Sequence, residues 1–132
     1  MSPALKHLVT KNKLAFDSKF YIESLSLSYI LINKELKELV KKDLPPDTLE
    51  LRIKTTDLIK IIKKELNDNP GLKAKLSKKV LKEVIHFNKL YKEVYREVKF
   101  QYSEKKIFET AKLGIDCVAM LHTNIMKVKN NR

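Results

Sequence analysis

One cysteine, two glycines, four prolines and no tryptophan are all that this chain of 132 residues has of the residue types that staple, turn or anchor a small fold. Each scarcity excludes something. Cys117 has no second cysteine to bond, so an internal disulfide is excluded. Its place in an apolar helical pattern marks it as a buried small hydrophobe, and a reducing cytoplasm suits it. Two glycines are too few for the turns of a β-rich fold, whereas a composition led by Leu, Ile, Lys and Glu favours long helices. No run of about 18 uncharged apolar residues is present, so no segment is expected to span a membrane. The N-terminus lacks the apolar stretch and small-residue cleavage site of a signal peptide. A single domain over residues 1–132 is long enough to bury a core without staples.

Acidic residues are also scarce, 16 against 28 Lys and Arg, which gives a formal charge of +12. The excess is uneven. Residues 71–106 are net +7, residues 1–70 net +3 and residues 107–132 net +2. A basic face of this kind attracts phosphates, although a lysine-rich chain also has lysine-rich solvent faces. Arginine, the better bidentate phosphate reader, occurs only as Arg52, Arg96 and Arg132.

What is abundant is apolar spacing at helical period. Residues Ala4–Phe16 form a first helix, with Pro3 suited to its first turn. Asp17 or Ser18 is expected to cap a second helix from about Lys19 to Lys42. Ile22, Leu25, Tyr29, Ile32, Leu36 and Leu39 form its seam, and Leu27, Ile30 and Leu31 lie off it. Apolar residues on so much of the circumference place this helix either at the centre of a bundle or half under a second subunit. Pro45 and Pro46 end it. Residues 48–55 read as an irregular connection despite the alternation of Leu49, Leu51 and Ile53, because no second strand exists to pair with them. Thr55 or Thr56 is expected to cap a third helix through Leu66. The run Asn67–Gly71 is the clearest break. A fourth helical region follows from Leu72 to Phe100, with Ser77 as a fresh cap inside it. Its seam is Val80, Val84, Phe87, Tyr91, Val94 and Val98. Ser103 caps a last helix to about Val128, whose seam includes Ile107, Ala111, Val118 and His122. Gly114 inside it costs about 1 kcal/mol against alanine and so points to a close helix approach. The polar tail from Lys127 is expected to fray. The expectation is an all-α antiparallel bundle of about five helices, broken near 43–55 and 67–71.

No catalytic motif accompanies this pattern. His7, His86 and His122 are far apart, without the spacing of a metal site, and are read as structural. No Gly-rich phosphate loop, nucleophile elbow or paired carboxylates are present, and no cofactor or metal is expected. Tyr91 and Tyr95 share a helix face. Tyr91 is read as a packing residue, while Tyr95, beside Arg96 and one turn after Lys92, is placed to face a polar groove.

The order of elements resembles the HEPN family of helical domains. The stretch Phe20–Leu39 looks like that family's helix of aromatic, small and apolar residues ending in a Leu-Lys pair. Thr56-Asp57-Leu58-Ile59-Lys60 is similar to its loop-to-helix turn, Phe87-Asn88-Lys89-Leu90 to the lead into its catalytic motif, and Tyr102-Ser103-Glu104 to the junction before its last helix. The resemblance covers about residues 14–126. It implies a homodimer whose cleft cuts RNA with an Arg and a His four to six residues later. Here Tyr91 stands at the Arg position, Lys92 at the following polar position and Arg96 near the His position. An arginine stays protonated and cannot act as a general base, so no ribonuclease activity is expected. Fold and site are separate inferences, and the helical fold is expected regardless.

Four roles follow as expectations. The first is a catalytically degenerate binding or partner module, of the sort found in defence or toxin–antitoxin systems. The second is an RNA- or DNA-binding protein using Lys89, Lys92, Tyr95, Arg96 and Lys99. The third is a divergent ribonuclease, with His122 as the one base that a rearranged site would have. The fourth is a structural partner of another protein chain, such as a nucleotidyltransferase. A symmetric homodimer is expected, through the second helix and, as the resemblance implies, the Tyr91/Tyr95 side of the fourth.

Overall fold

Pro3 opens the first helix, α1 (Pro3–Asp17), at a position where its missing N–H forfeits no bond. The computed structural model describes residues 3–43, 53–97 and 103–130, and each regular element among them is an α-helix. The end of α1 differs from expectation. Lys19 takes a left-handed φ of 66°. Its N–H donates to Phe16 O at 3.0 Å and that of Phe20 to Ala15 O at 2.8 Å. This paired pattern closes a helix C-terminus. Asp17 and Ser18 therefore belong to the end of α1 and do not cap the next helix.

That helix, α2 (Tyr21–Asp43), buries Leu25, Ile32, Leu36 and Leu39 as the seam predicts. Ile22 departs from it and is 46% exposed. The inward face is rotated toward Ser24 and Ser28 by Asn12 of α1. Ser24 donates to Asn12 Oδ1 at 2.7 Å, and Asn12 Nδ2 donates to Ser28 Oγ at 2.8 Å. All three are buried and mutually satisfied, so the cost of burying them is met. The same rotation buries Leu27 and Leu31. Of the two readings of this apolar helix, the central one holds, since α2 packs against each of the other helices.

After irregular residues 53–54, α3 (Thr55–Glu65) buries Leu58, Ile59 and Ile62. The connection expected at 48–55 lies mostly outside the described residues. The fourth helical region expected from Leu72, with Ser77 as a fresh cap inside it, is two helices, α4 (Pro70–Lys75) and α5 (Lys78–Glu97). Three local causes divide it. Asn69 caps α4 by accepting the Leu72 N–H at 3.0 Å, with Pro70 in its first turn. Leu76 is extended. Ser77 caps α5 by accepting the Val80 N–H at 3.1 Å. A tertiary contact then fixes α4 to the end of α2. The Lys75 ammonium lies 2.9 Å from Asp43 Oδ2 with both side chains nearly buried, and Asn69 Nδ2 donates to the Asp43 carbonyl. A Cβ on Gly71 would stand 2.7 Å from the Asp43 carboxylate, so it would push that carboxylate from its place beside Lys75.

Ser103 caps α6 (Glu104–Asn130) by accepting the Lys106 N–H at 3.4 Å. The helical backbone continues through Asn130, beyond the fraying expected from Lys127. The main core joins Leu31, Leu36, Leu58, Leu72, Phe87 and Leu121. A smaller cluster of Leu25, Val94, Ile107 and Ala111 seals the other end.

Gly114 sits where α2, α5 and α6 meet. A Cβ there would stand 2.7 Å from Phe87 Cε2 and 2.8 Å from Ser28 Cβ. Phe87 and Ser28 are both fully buried, so neither yields cheaply. Gly114→Ala gains about 1 kcal/mol of helix propensity and incurs overpacking of about 1–3 kcal/mol. We expect a net loss in urea denaturation; a variant more stable than the parent would show that the helices move apart without penalty.

Candidate functional site

Two polar residues at the start of α3 organise a cleft. Asn33 of α2 donates to Thr55 Oγ1 at 2.6 Å. Asn88 Nδ2 donates to Thr56 Oγ1 at 3.4 Å, and the Lys92 ammonium donates to the same oxygen. Both threonine hydroxyls are thus used across helices. Neither caps α3, contrary to expectation: Lys54 is the N-cap residue and forms no side-chain cap bond. The first N–H groups of α3, at the positive end of its dipole, are left without that partner.

Between α2, the start of α3 and α5 lies a cleft of about 540 Å³. Tyr29, Asn33, Thr55 and Thr56 line it, with Ile30 and Ile53 as apolar walls. Four lysines border it, Lys34, Lys37, Lys54 and Lys92, and no carboxylate is among the lining residues. Asp57, in the first turn of α3, is exposed and outside the lining. Four ammonium groups around one concavity add their potentials, and low-dielectric walls focus the sum.

A row of aromatic rings leads out of the cleft. Tyr29 stacks on Tyr91 with centroids 4.2 Å apart and planes at 11°, and Tyr91 meets Tyr95 at 5.7 Å. Tyr91 is half-buried, as a packing residue should be. Burial raises its phenol pKa above 10, with Tyr95 and Tyr29 adding to the shift and a hydrogen bond with Ser26 opposing it. Tyr95 ends the row 62% exposed.

Of the residues predicted from sequence, Lys92 is brought into the cleft. Lys89 and Arg96 are exposed one turn to either side of it on α5. Lys99 lies outside the described residues. Lys34, Lys37, Lys54, Asn33 and the two threonines were missed. The visible signal was the i, i+3, i+4, i+7 series Ile30, Asn33, Lys34, Lys37, which puts an amide and two lysines on one stripe of α2.

The cleft presents four ammonium groups and offers no proton acceptor suited to neutral pH. No histidine lines it. His7 and His86 are exposed and His122 is half-buried on α6. Among the described residues no group of His, Cys, Asp and Glu is arranged to hold a metal ion. No helix among them is long and apolar enough to cross a membrane. No family model, curated protein or solved structure matches the chain.

Cys117 is fully buried in the main core, in keeping with its sequence reading. Burial pushes its thiol from 9.0 to about 12, with Glu83 and Asp116 adding to the rise. The thiolate is the reactive form, so the folded thiol is inert. A raised folded-state pKa favours the fold below pH 9, and that contribution is lost as pH climbs from 9 toward 12. Iodoacetamide at pH 8 is expected to label Cys117 only in denaturant, with stability falling above pH 9. Rapid labelling of the native protein would contradict the burial.

Proposed function

We propose that the chain is a catalytically degenerate, HEPN-like helical module that binds single-stranded nucleic acid through the cationic cleft and the exposed basic face of α5. The observation that carries this reading is the convergence of Lys34, Lys37, Lys54 and Lys92 on one concavity without a carboxylate. Charge alone would make any phosphate polymer a ligand. The row Tyr29–Tyr91–Tyr95 favours a single strand, because its unstacked bases can lie on an aromatic face. Lys89 and Arg96 extend the cationic path along α5 on either side of Lys92. The donor set supports binding without cleavage: ammonium, amide and hydroxyl groups hold a phosphate but do not accept a proton at neutral pH.

The symmetric homodimer belongs to the same proposal, on altered grounds. The surplus apolar residues of α2, Leu27 and Leu31, are covered by helices of the same chain. On α2, Ile22 remains exposed away from the cleft and is an apolar group that a second copy would cover. Sedimentation at micromolar concentration is expected to give twice 15.4 kDa, and a species of 15.4 kDa alone would remove the dimer.

Fluorescence anisotropy with a labelled single-stranded RNA tests the binding reading. Affinity is expected to fall steeply with salt, with a log–log slope of roughly −0.7 per phosphate neutralised. The double variant Lys92→Ala/Arg96→Ala should bind more weakly, with a slope shallower by roughly 0.7 for each phosphate that is no longer neutralised. The RNA should stay intact. Unchanged binding in the double variant would assign the charge to solubility, and cleavage that vanishes in His122→Ala would reveal a rearranged active site.

A further inference from the structure

We propose that the cleft holds the terminal phosphate of the strand, a phosphomonoester, while the basic face of α5 carries the phosphodiester backbone behind it. This inference rests on the binding reading above and specifies which part of the strand the cleft takes.

Three observations separate the cleft from the rest of the basic surface. The first is charge. A phosphodiester carries one negative charge and a terminal phosphomonoester close to two at neutral pH, with three equivalent oxygens. Lys89 and Arg96 lie outside the cleft lining, in keeping with single charges spaced along a chain. Lys34, Lys37, Lys54 and Lys92 surround one volume, which matches a compact multiple charge.

The second is hydrogen-bond capacity. A hydroxyl donates one bond and accepts two. Thr55 Oγ1 accepts from Asn33, and Thr56 Oγ1 accepts from Asn88 and Lys92. Among the described residues neither hydroxyl donates, so each keeps a proton for an oxygen in the cleft. The uncapped start of α3 adds backbone donors at the same place.

The third is an unmet polar atom. Asn88 is nine-tenths buried and bonded to Thr56, yet its carbonyl oxygen has no partner among the described residues. Buried polar atoms are satisfied nearly everywhere in folded proteins, and an unpaired carbonyl oxygen calls for a donor, so it suits a sugar hydroxyl beside the phosphate and not the phosphate oxygens themselves. Asn88, Thr56 and Lys92 thus form a polar group whose bonding is incomplete, with Thr56 and Lys92 in the lining of the cationic cleft and Asn88 behind them.

Tyr29 sets the direction. It lines the cleft and begins the aromatic row that ends at exposed Tyr95. A terminal phosphate beside Tyr29 lets the following bases run outward toward Tyr95 and the backbone toward Arg96.

The test uses a ten-nucleotide RNA prepared with a 5′-phosphate, with a 3′-phosphate or with hydroxyls at both ends, measured by competition anisotropy. A phosphorylated end is expected to bind roughly tenfold more tightly than the hydroxyl-ended strand, the worth of one or two added charge-assisted hydrogen bonds. Thr56→Val, which keeps the shape and removes the hydroxyl, should erase most of that preference. Lys34→Met, at an exposed position, should weaken the phosphorylated strand by a larger factor than the hydroxyl-ended strand and so reduce that preference. Equal affinity for all three strands would overturn the terminal-phosphate assignment and leave the binding module standing. No binding of any strand at low salt would overturn both. Competition by adenosine monophosphate as strong as by the phosphorylated strand would give the cleft to free nucleotides, and by inorganic phosphate alone to a free anion; either overturns the strand-end assignment.

Discussion

The approach of three helices at Gly114 is the constraint on which the other contacts depend. A hydrogen in place of a side chain lets α6 come within van der Waals distance of Ser28 on α2 and Phe87 on α5. Ser28 is small enough to fit there and polar enough to need a partner, which Asn12 of α1 supplies. One missing Cβ on α6 is therefore linked through Ser28 to the position of α1, and through Phe87 to the rotation of α5. The rotation of α5 sets where Lys92 and Asn88 point. The rotation of α2 sets where Asn33, Lys34 and Lys37 point. The cleft lies between those two faces, so its geometry derives from packing on the far side of both helices.

Polar contacts finish what this packing begins. The start of α3 has no cap of its own and is held by side chains of its neighbours: Asn33 on one side, Asn88 and Lys92 on the other. The end of α2 uses the same device in buried form, where Lys75 and Asp43 pair with Asn69 beside them. A buried pair adds little net stability against an apolar replacement, yet removing one partner is costly. Its value here is positional. A six-residue helix has too few backbone bonds to specify its own orientation, and the ion pair admits one docking of α4 against the end of α2.

Most of the fold was legible because apolar spacing states it directly. The buried positions of α3 and α5 follow the 3-4 pattern, and Ser77 and Ser103 cap the helices they precede. The misreadings share a cause: a side chain engaged with another helix. Thr55 and Thr56 have the chemistry of caps but bond α2 and α5. Ile22 belongs to the seam by spacing, but Asn12 turns α2 toward its serines. The restart expected at Ser77 falls where extended Leu76 separates α4 from α5. The cleft was the least legible feature. Charge summed along the chain directs attention to residues 71–106, which supply only Lys92 to the lining. The other three lysines come from residues 34–54, where nearby acids cancel them in a running sum. On a helix those acids point elsewhere, so linear neutrality conceals a cationic surface.

The central place of α2 also has a consequence in time. Its most extensive partner is α6, which begins sixty-one residues after α2 ends. On a ribosome that emits roughly 5–20 residues per second, α2 waits several seconds or more before that partner exists. During the wait Leu25, Leu31 and Leu36, among the most deeply buried side chains of the finished protein, have only α1 and the arriving middle helices to shelter them. That apolar surface stays uncovered until α6 closes the bundle, and the lysines along the middle of the chain repel like-charged neighbours in the meantime.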